Sequence, residues 1–455
     1  MKLTPLLVAA LLTPIGVFAT MPARADVLSV SDILSQFNAV VFNTFSSTSD
    51  VEGRTVVGGD LIGGATFYMN PGNVAASSFS GLTVYGSATS GGNYNVNDGG
   101  GVTIAGSNSA SFNLNGGGAV YVGGANSGNI NGSGNVTVGG ANSGTLSINS
   151  AASVFVGGSN SAGISVNGNA SIAINGSNSA NINLNGSGTV SLNGSNNGTV
   201  SMNGGTYTYT GTKGNANLNG GTKAIHAASL NLTAPASTLP SFSSTFQAPL
   251  TALSAQLDAA AANSIATSAN NAITFNAKPD STGTAIFDIN SSFLKPNSTV
   301  TINLDGATSV IINVNVDSCV STSCVFSLPN SLNFQNPTGY ADAVLWNFVN
   351  ATGLTFPNEI GGSILAPFAS VTNDGPIDGT LVADSYSGDG ELHSHPYTGT
   401  LPDGTVAPAT LNTTFLNTAG ASTSVPEPGS LILLATGLAA MAAFRRRPLR
   451  FSARH

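Results

Sequence analysis

From Val102 to Met202 aliphatic residues recur in pairs two positions apart, set in a background of Gly, Ser and Asn. Val102 and Ile104, Val120 and Val122, Val136 and Val138, Val154 and Val156, Ile172 and Ile174, and Val190 and Leu192 open six copies spaced by 18, 16, 18, 18 and 18 residues. A weaker copy opens at Leu82. Ten residues after each opening stands a second apolar position, at Phe112, Ile130, Leu146, Ile164, Ile182 and Val200, followed in five copies by another two further on. Alternation of this kind is strand periodicity, so each copy predicts two short strands.

Between the strands Gly recurs at 106, 124, 140, 158, 176 and 194, and Asn at Asn108, Asn126, Asn142, Asn160, Asn178 and Asn196. Both residue types tolerate the backbone of tight turns. A second file of Asn, at 115, 149, 167, 185 and 203, closes the other end of each copy. One copy cannot bury its aliphatic side chains alone, so stacking of successive copies is the way to a continuous core. The pattern predicts an all-β fold, a β-solenoid of coils of about 18 residues with Asn/Gly turns and stacked Asn amides. Seven coils at about 4.8 Å each make a rod about 30 Å long.

After Tyr209 the pattern changes. Phe246, Leu250, Leu253, Leu257 and Ala261 fall at helical spacing with Pro249 in the first turn, predicting one amphipathic helix of about four turns. Strand-like runs follow at 285–289, 299–304, 309–316, 343–348, 363–365 and 377–382, a β-rich C-terminal part. Cys319 and Cys324 sit in a loop between them, and in an exported chain a local disulfide is the expected use. A two-thiolate metal site is the rival, but with no neighbouring His it completes no zinc shell.

Composition narrows the function. Only 7% of residues are charged, against about a quarter in an ordinary globular protein, and the net charge is −8. With 12 Lys and Arg, several of them near the termini, the chain lacks a basic surface for nucleic acid. No charged residue occurs from Gly99 to Gly211, which removes the Lys, Arg, His and acidic calcium ligands that a lyase on a β-helix needs. Ice binding often uses flat Thr-rich faces, and the repeats carry no regular Thr file. Self-assembly in the manner of curli is a further alternative, although these repeats contain no Gln. Uncharged hydroxyls and amides, with Tyr85, Tyr94 and Tyr121 expected at the surface, suit weak multivalent contact with sugars.

The termini read as addresses. Lys2, the apolar run 6–19 and Ala23-Arg24-Ala25 form a signal-peptide pattern cut after Ala25. At the other end Pro426, Glu427 and Pro428 precede an apolar run, Leu431 to Phe444, and then Arg445, Arg446 and Arg447. The run is just short of the roughly 20 residues that comfortably span a bilayer. This order resembles the PEP-CTERM sorting signal of Gram-negative bacteria. The resemblance implies processing by an exosortase-type enzyme and membrane contact only through the C-terminal helix before processing. A plain inner-membrane anchor is the alternative.

Five segments resemble the choice-of-anchor A domain: FNAVVFNTFSSTSDVEGRTVVGGDL from Phe37, TAIFDINSSFL from Thr284, VLWNFVNATGLTF from Val344, GGSILAPFASV from Gly361, and IDGTLVADSYSGDGELHSHPYTGTLP from Ile377. That family occurs on bacterial surface and exported proteins, and the resemblance implies location and a β-rich extracellular domain, with no catalytic residues to carry over. The expected division is a signal peptide at 1–25, an N-terminal segment and solenoid cap at 26–81, repeats at 82–222, helix and β part at 223–405, a linker at 406–424 and the sorting signal at 425–455.

One constellation could carry chemistry. Glu391, His393 and His395 alternate in GELHSHPY, so on a strand they would share a face and converge on a metal, with Asp384 and Asp389 nearby. The competing reading is a structural hydrogen-bond network closing the domain. Asp50, Glu52 and Arg54 are expected to form an ion-paired turn. The function these observations support is an exported, non-catalytic surface or matrix protein without a cofactor, associated with exopolysaccharide or adhesion. The alternatives are a metal-dependent protein using Glu391, His393 and His395, or a fibril former.

Overall fold

The computed structural model describes residues 28–402 except 73 and 90. The segments read as signal peptide, linker and sorting signal, with the apolar run Leu431 to Phe444, lie outside the described residues. Among the described residues no helix is long and apolar enough to cross a membrane.

The fold is an all-β solenoid of parallel strands, as the repeat pattern predicts. Each repeat coil carries a strand, a one-residue bridge at the buried Asn, and a second strand, as in Val102–Ile104, Asn108 and Ser111–Leu114. The strand openings stack in register: Val120 lies between Val102 and Val136, and Val154 between Val136 and Ile172. Inward residues of both rows are buried to within a few per cent, so successive coils share one core. Gly128 and Gly144 belong to the turn because a Cβ on either would run into the carbonyl oxygen of the coil beneath, at Ala110 and Gly128.

The solenoid extends beyond the repeats in both directions. The strands of the C-terminal part are coils of the same stack, since Thr284–Asn290, Ser309–Asn315, Val344–Phe348, Ser363–Asn373 and Leu381–Gly388 pair in parallel in that order. Leu381–Gly388 then pairs with Ala39–Val41, which pairs with Thr55–Val57 and so leads into the repeats. The strands from Ala39–Val41 to Thr66–Phe67, in the segment expected to form a cap, therefore lie inside the stack. The boundary expected at 222/223 also moves, because Lys223–His226 is the last strand of the repeat side, paired with Gly205–Tyr209. The physical reason is that coils of unequal length still offer inward alternate residues, and pairing ignores how far apart two strands lie in sequence.

The first row of strands has two apolar faces in its lower half. Ala39 and Val41 point inward, while Val40, Val56, Ile311, Leu345, Leu365 and Val382 point outward. Helix α2, Ala248–Ala259, covers that outer face with Leu250, Leu253 and Leu257, each contributing about 2 kcal/mol on burial, and Phe246 from the preceding turn joins them. Polar groups under the helix are paired: Asn347 Nδ2 donates to Ser254 O, and Asn313 Nδ2 donates to Leu257 O in the last turn, which also accepts from Ala260 N. Helix α1, Val30–Gln36, adds Val30, Ile33 and Leu34 to the same cluster and starts at a Ser29/Asp32 capping box.

Arg54 is not part of an ion-paired turn. It is buried, and its guanidinium donates to the carbonyls of Gln36, Ala75 and Phe79 at 2.7, 3.1 and 3.2 Å, joining the end of α1 to the following loop. Glu52 instead accepts from Ser394 N at 2.7 Å. Cys319 and Cys324 are joined by a disulfide across a small hairpin.

Candidate functional site

Two parts of the molecule concentrate polar groups. The first is where the last strand among the described residues meets the first coil. Leu392–His393 pairs with Ile377–Asp378 on one side and with Val51 on the other. His393 Nδ1 lies 2.6 Å from Asp378 Oδ1, and Nε2 lies 2.8 Å from Glu391 Oε2. Asp378 is fully buried, and its hydrogen bond, opposed by partial burial of the ring, raises the His393 pKa to about 9. At neutral pH His393 is an imidazolium held between Asp378 and Glu391. Burial and the adjacent Asp378 also raise Glu359 above the usual carboxylate range.

His395 does not join this group. The strand ends at His393, the chain turns with His395 N donating to His393 O, and the His395 ring pairs with Asp342 at 3.2 Å. Strand alternation thus does not extend across Glu391, His393 and His395, and the three do not converge. Both ring nitrogens of His393 are engaged. Among the described residues no three His, Cys, Asp or Glu side chains are arranged to hold a metal ion.

The neighbouring groups tie the two chain halves together. Asn38 Nδ2 donates to the carbonyls of Gly379 and His393, Thr380 Oγ1 donates to Phe37 O, Asn43 donates to Asp384, and Thr48 donates to Asp389. Asp384 and Asp389, named beside the histidines in the sequence, are spent on this closure. The arrangement is a clasp between residues some 340 apart in sequence.

The second part is the surface of the repeat coils. Inside, Asn108, Asn126, Asn142, Asn160, Asn178 and Asn196 form a continuous ladder, each Nδ2 donating to the next Oδ1 at 2.7 Å. The remaining Nδ2 proton goes to the carbonyl two residues on, as from Asn142 to Gly144 at 2.8 Å. Outside, the second strand of each coil presents Asn113, Asn131, Ser147, Ser165, Asn183 and Ser201 in one column, by register. Beside it Asn149, Asn167 and Asn185 form an exposed ladder, with Asn167 donating to Asn149 at 3.0 Å and Asn185 to Asn167 at 2.8 Å, while Asn115 donates to Asn97 at 2.8 Å. The result is a charge-free face of amides and hydroxyls whose spacing is set by the strand repeat, about 4.8 Å.

The tyrosines divide. Tyr94 is buried, correcting the expectation that it is exposed, because it occupies the inward position stacked on Phe112 with centroids 5.1 Å apart. Tyr85 and Tyr121 sit on the outer side of the first row, where a strap formed by residues 237–242 passes over them. Sequence reasoning missed the strap, whose only signal is the alternation of Leu230, Leu232, Ser237 and Leu239.

A family model described as "Putative Ice-binding-like adhesive domain" matches residues 30–151 and 117–394. The model of the PEP-CTERM protein-sorting motif matches residues 424–447, the motif of exported proteins that are anchored and then processed by an exosortase. No curated protein matches the chain. Among solved structures, the tapirin C-terminal domain of Caldicellulosiruptor kristjanssonii aligns at 11% identity over 79% of this chain and 94% of that one, with a TM-score of 0.19, a likeness too slight to carry an argument.

Proposed function

This chain belongs to the ice-binding-like adhesive domain family, and we propose that it is an exported, non-catalytic adhesin whose repeat face holds it to extracellular polysaccharide. The supporting observation is the face itself, columns of Asn and Ser without a charge and with exposed amides fixed by their own ladder. Fixed amides lose little freedom on contact, and a repeated weak contact gains strength through valency. The sorting motif supports delivery to the cell exterior, and the resemblance to the choice-of-anchor A domain agrees with a surface location. The polar residues around His393 are engaged in closing the solenoid, which supports a structural role for them.

The test is retention on the host's own extracellular polysaccharide. The double substitution Ser165→Glu and Asn183→Glu places carboxylates in the middle of the face without touching the core. Retention of that variant is expected to fall at least about tenfold, because a desolvated unpaired charge costs well over 1.4 kcal/mol. Equal retention of variant and native protein would remove this face from the function.

A further inference from the structure

The first row of the repeat coils has an outer face that the adhesive reading leaves unused. Outward positions there are Thr103, Tyr121, Thr137, Phe155 and Ala173, stacked by register, and Phe155 is 2% exposed although it points away from the core. The chain itself runs back over this face. From His226, at the end of the last strand on the repeat side, to Phe242, which contacts the Tyr85 ring at 5.1 Å, it must pass back along eight strand pairings, about 38 Å. Sixteen residues reach roughly 50 Å when extended, so the strap is nearly straight. Leu230, Leu232, Pro235, Ser237 and Leu239 are half-buried while most residues between them are exposed, so one side of the strap faces the coils. Among the described residues, 228–240 make no backbone hydrogen bond to the coils.

Where the strap approaches the helix, it leaves a cavity of about 340 Å³ between itself and the sheet. Tyr85, Tyr121, Leu239 and Phe242 provide its apolar walls, and Ser237 and Ser241 provide hydroxyls. None of its lining residues is charged. Tyr85 lines this cavity, and its hydroxyl is buried beneath the surface without a hydrogen-bond partner, a group that costs about 1 to 3 kcal/mol to leave unpaired. Phe242 meets Tyr85 edge-on, whereas Tyr121 has no aromatic partner among the described residues.

We propose that this slot binds a single neutral sugar ring of a polysaccharide, stacked on Tyr121 and hydrogen-bonded to the Tyr85 hydroxyl. A pyranose has the required chemistry, an apolar face of C–H groups, a rim of hydroxyls and no charge. The volume lies within the range of small-ligand sites, at its lower end. A strap held by side chains alone can shift to admit the ring without breaking a sheet ladder. The inference rests on the adhesive reading and deepens it, since the slot selects the ring while the repeat face adds avidity.

The test uses the full chain and a panel of neutral hexasaccharides, from cellulose, starch, mannan and xylan, followed by calorimetry or ligand-observed NMR. At least one is expected to bind, with Tyr121→Ala weakening it at least about tenfold and Tyr85→Phe about three- to tenfold, the range of one hydrogen bond. Both variants are expected to keep the native melting temperature to within a few degrees. Binding of no member of the panel, or binding indifferent to both substitutions, overturns the slot. The Ser165→Glu/Asn183→Glu variant separates the two ideas: it should keep hexasaccharide binding and lose polymer retention. If the native protein is retained on polymer but binds no hexasaccharide, the slot fails and the adhesive face stands; the opposite pattern keeps the slot and discards the face.

Discussion

At the scale of single residues, the buried Asn ladder does what an aliphatic row could not. Its amides bind the turn carbonyl of their own coil and the amide of the next, so each side chain fixes both turn geometry and register. Lower in the stack the same row holds Leu61 and Ala88, paired in line with Asn108, so the change from apolar to amide marks where the repeats begin. Replacing Asn142 by Ala strands a donor on Asn126 and acceptors on Asn160 and Gly144. The expected cost is about 3 kcal/mol, read from denaturant unfolding, whereas Asn149→Ala in the exposed ladder should stay within about 0.5 kcal/mol. Comparable losses for both would mean that burial of the amides is not what matters. The ladder was legible from the fixed spacing of Asn in the sequence. The burial of Tyr94 was not, because an aromatic in an irregular copy fits either face of a short strand.

At the scale of elements, the clasp around His393 joins the strand Leu392–His393 to the first coil. Its stability has a definite pH sign. The folded pKa of His393, about 9, lies above the usual His value of 6.5, so its contribution is complete below pH 6.5 and disappears as pH rises through 9. Discounted for a ring 26% exposed, the contribution is about 2 kcal/mol. Stability of the native protein is therefore expected to decline between pH 6.5 and 9, and His393→Gln should flatten that decline. An unchanged slope in the variant would assign the pH dependence to other groups. Sequence reasoning found Glu391 and His393 but supplied the wrong third member, since Asp378 lies 15 residues away and reaches His393 only through strand pairing. Helix α2 was predictable from its periodicity, and the face it covers was not, because apolar residues on both sides of a strand read as a continuous run.

At the scale of the whole molecule, the chain begins its solenoid in the middle and builds it outward twice. Residues 39–226 wind away in one direction, the strap returns, and residues 284–393 close the stack against Ala39–Val41. Repeats reveal only the regular half of such a fold, because the other half uses coils of unequal length and its key pairing joins Ala39 to Leu381. The proposed function follows the same division, with the irregular half carrying the helix and the clasp, and the regular half presenting uncharged faces. We propose that this body works outside the cell, released from its C-terminal tail. Fractionation of the native host with intact-mass analysis of the protein tests it most directly. The expected species lies outside the inner membrane and lacks residues 1–25 and everything beyond about Pro428. A species that stays in the inner membrane and retains Arg445, Arg446 and Arg447 would contradict it.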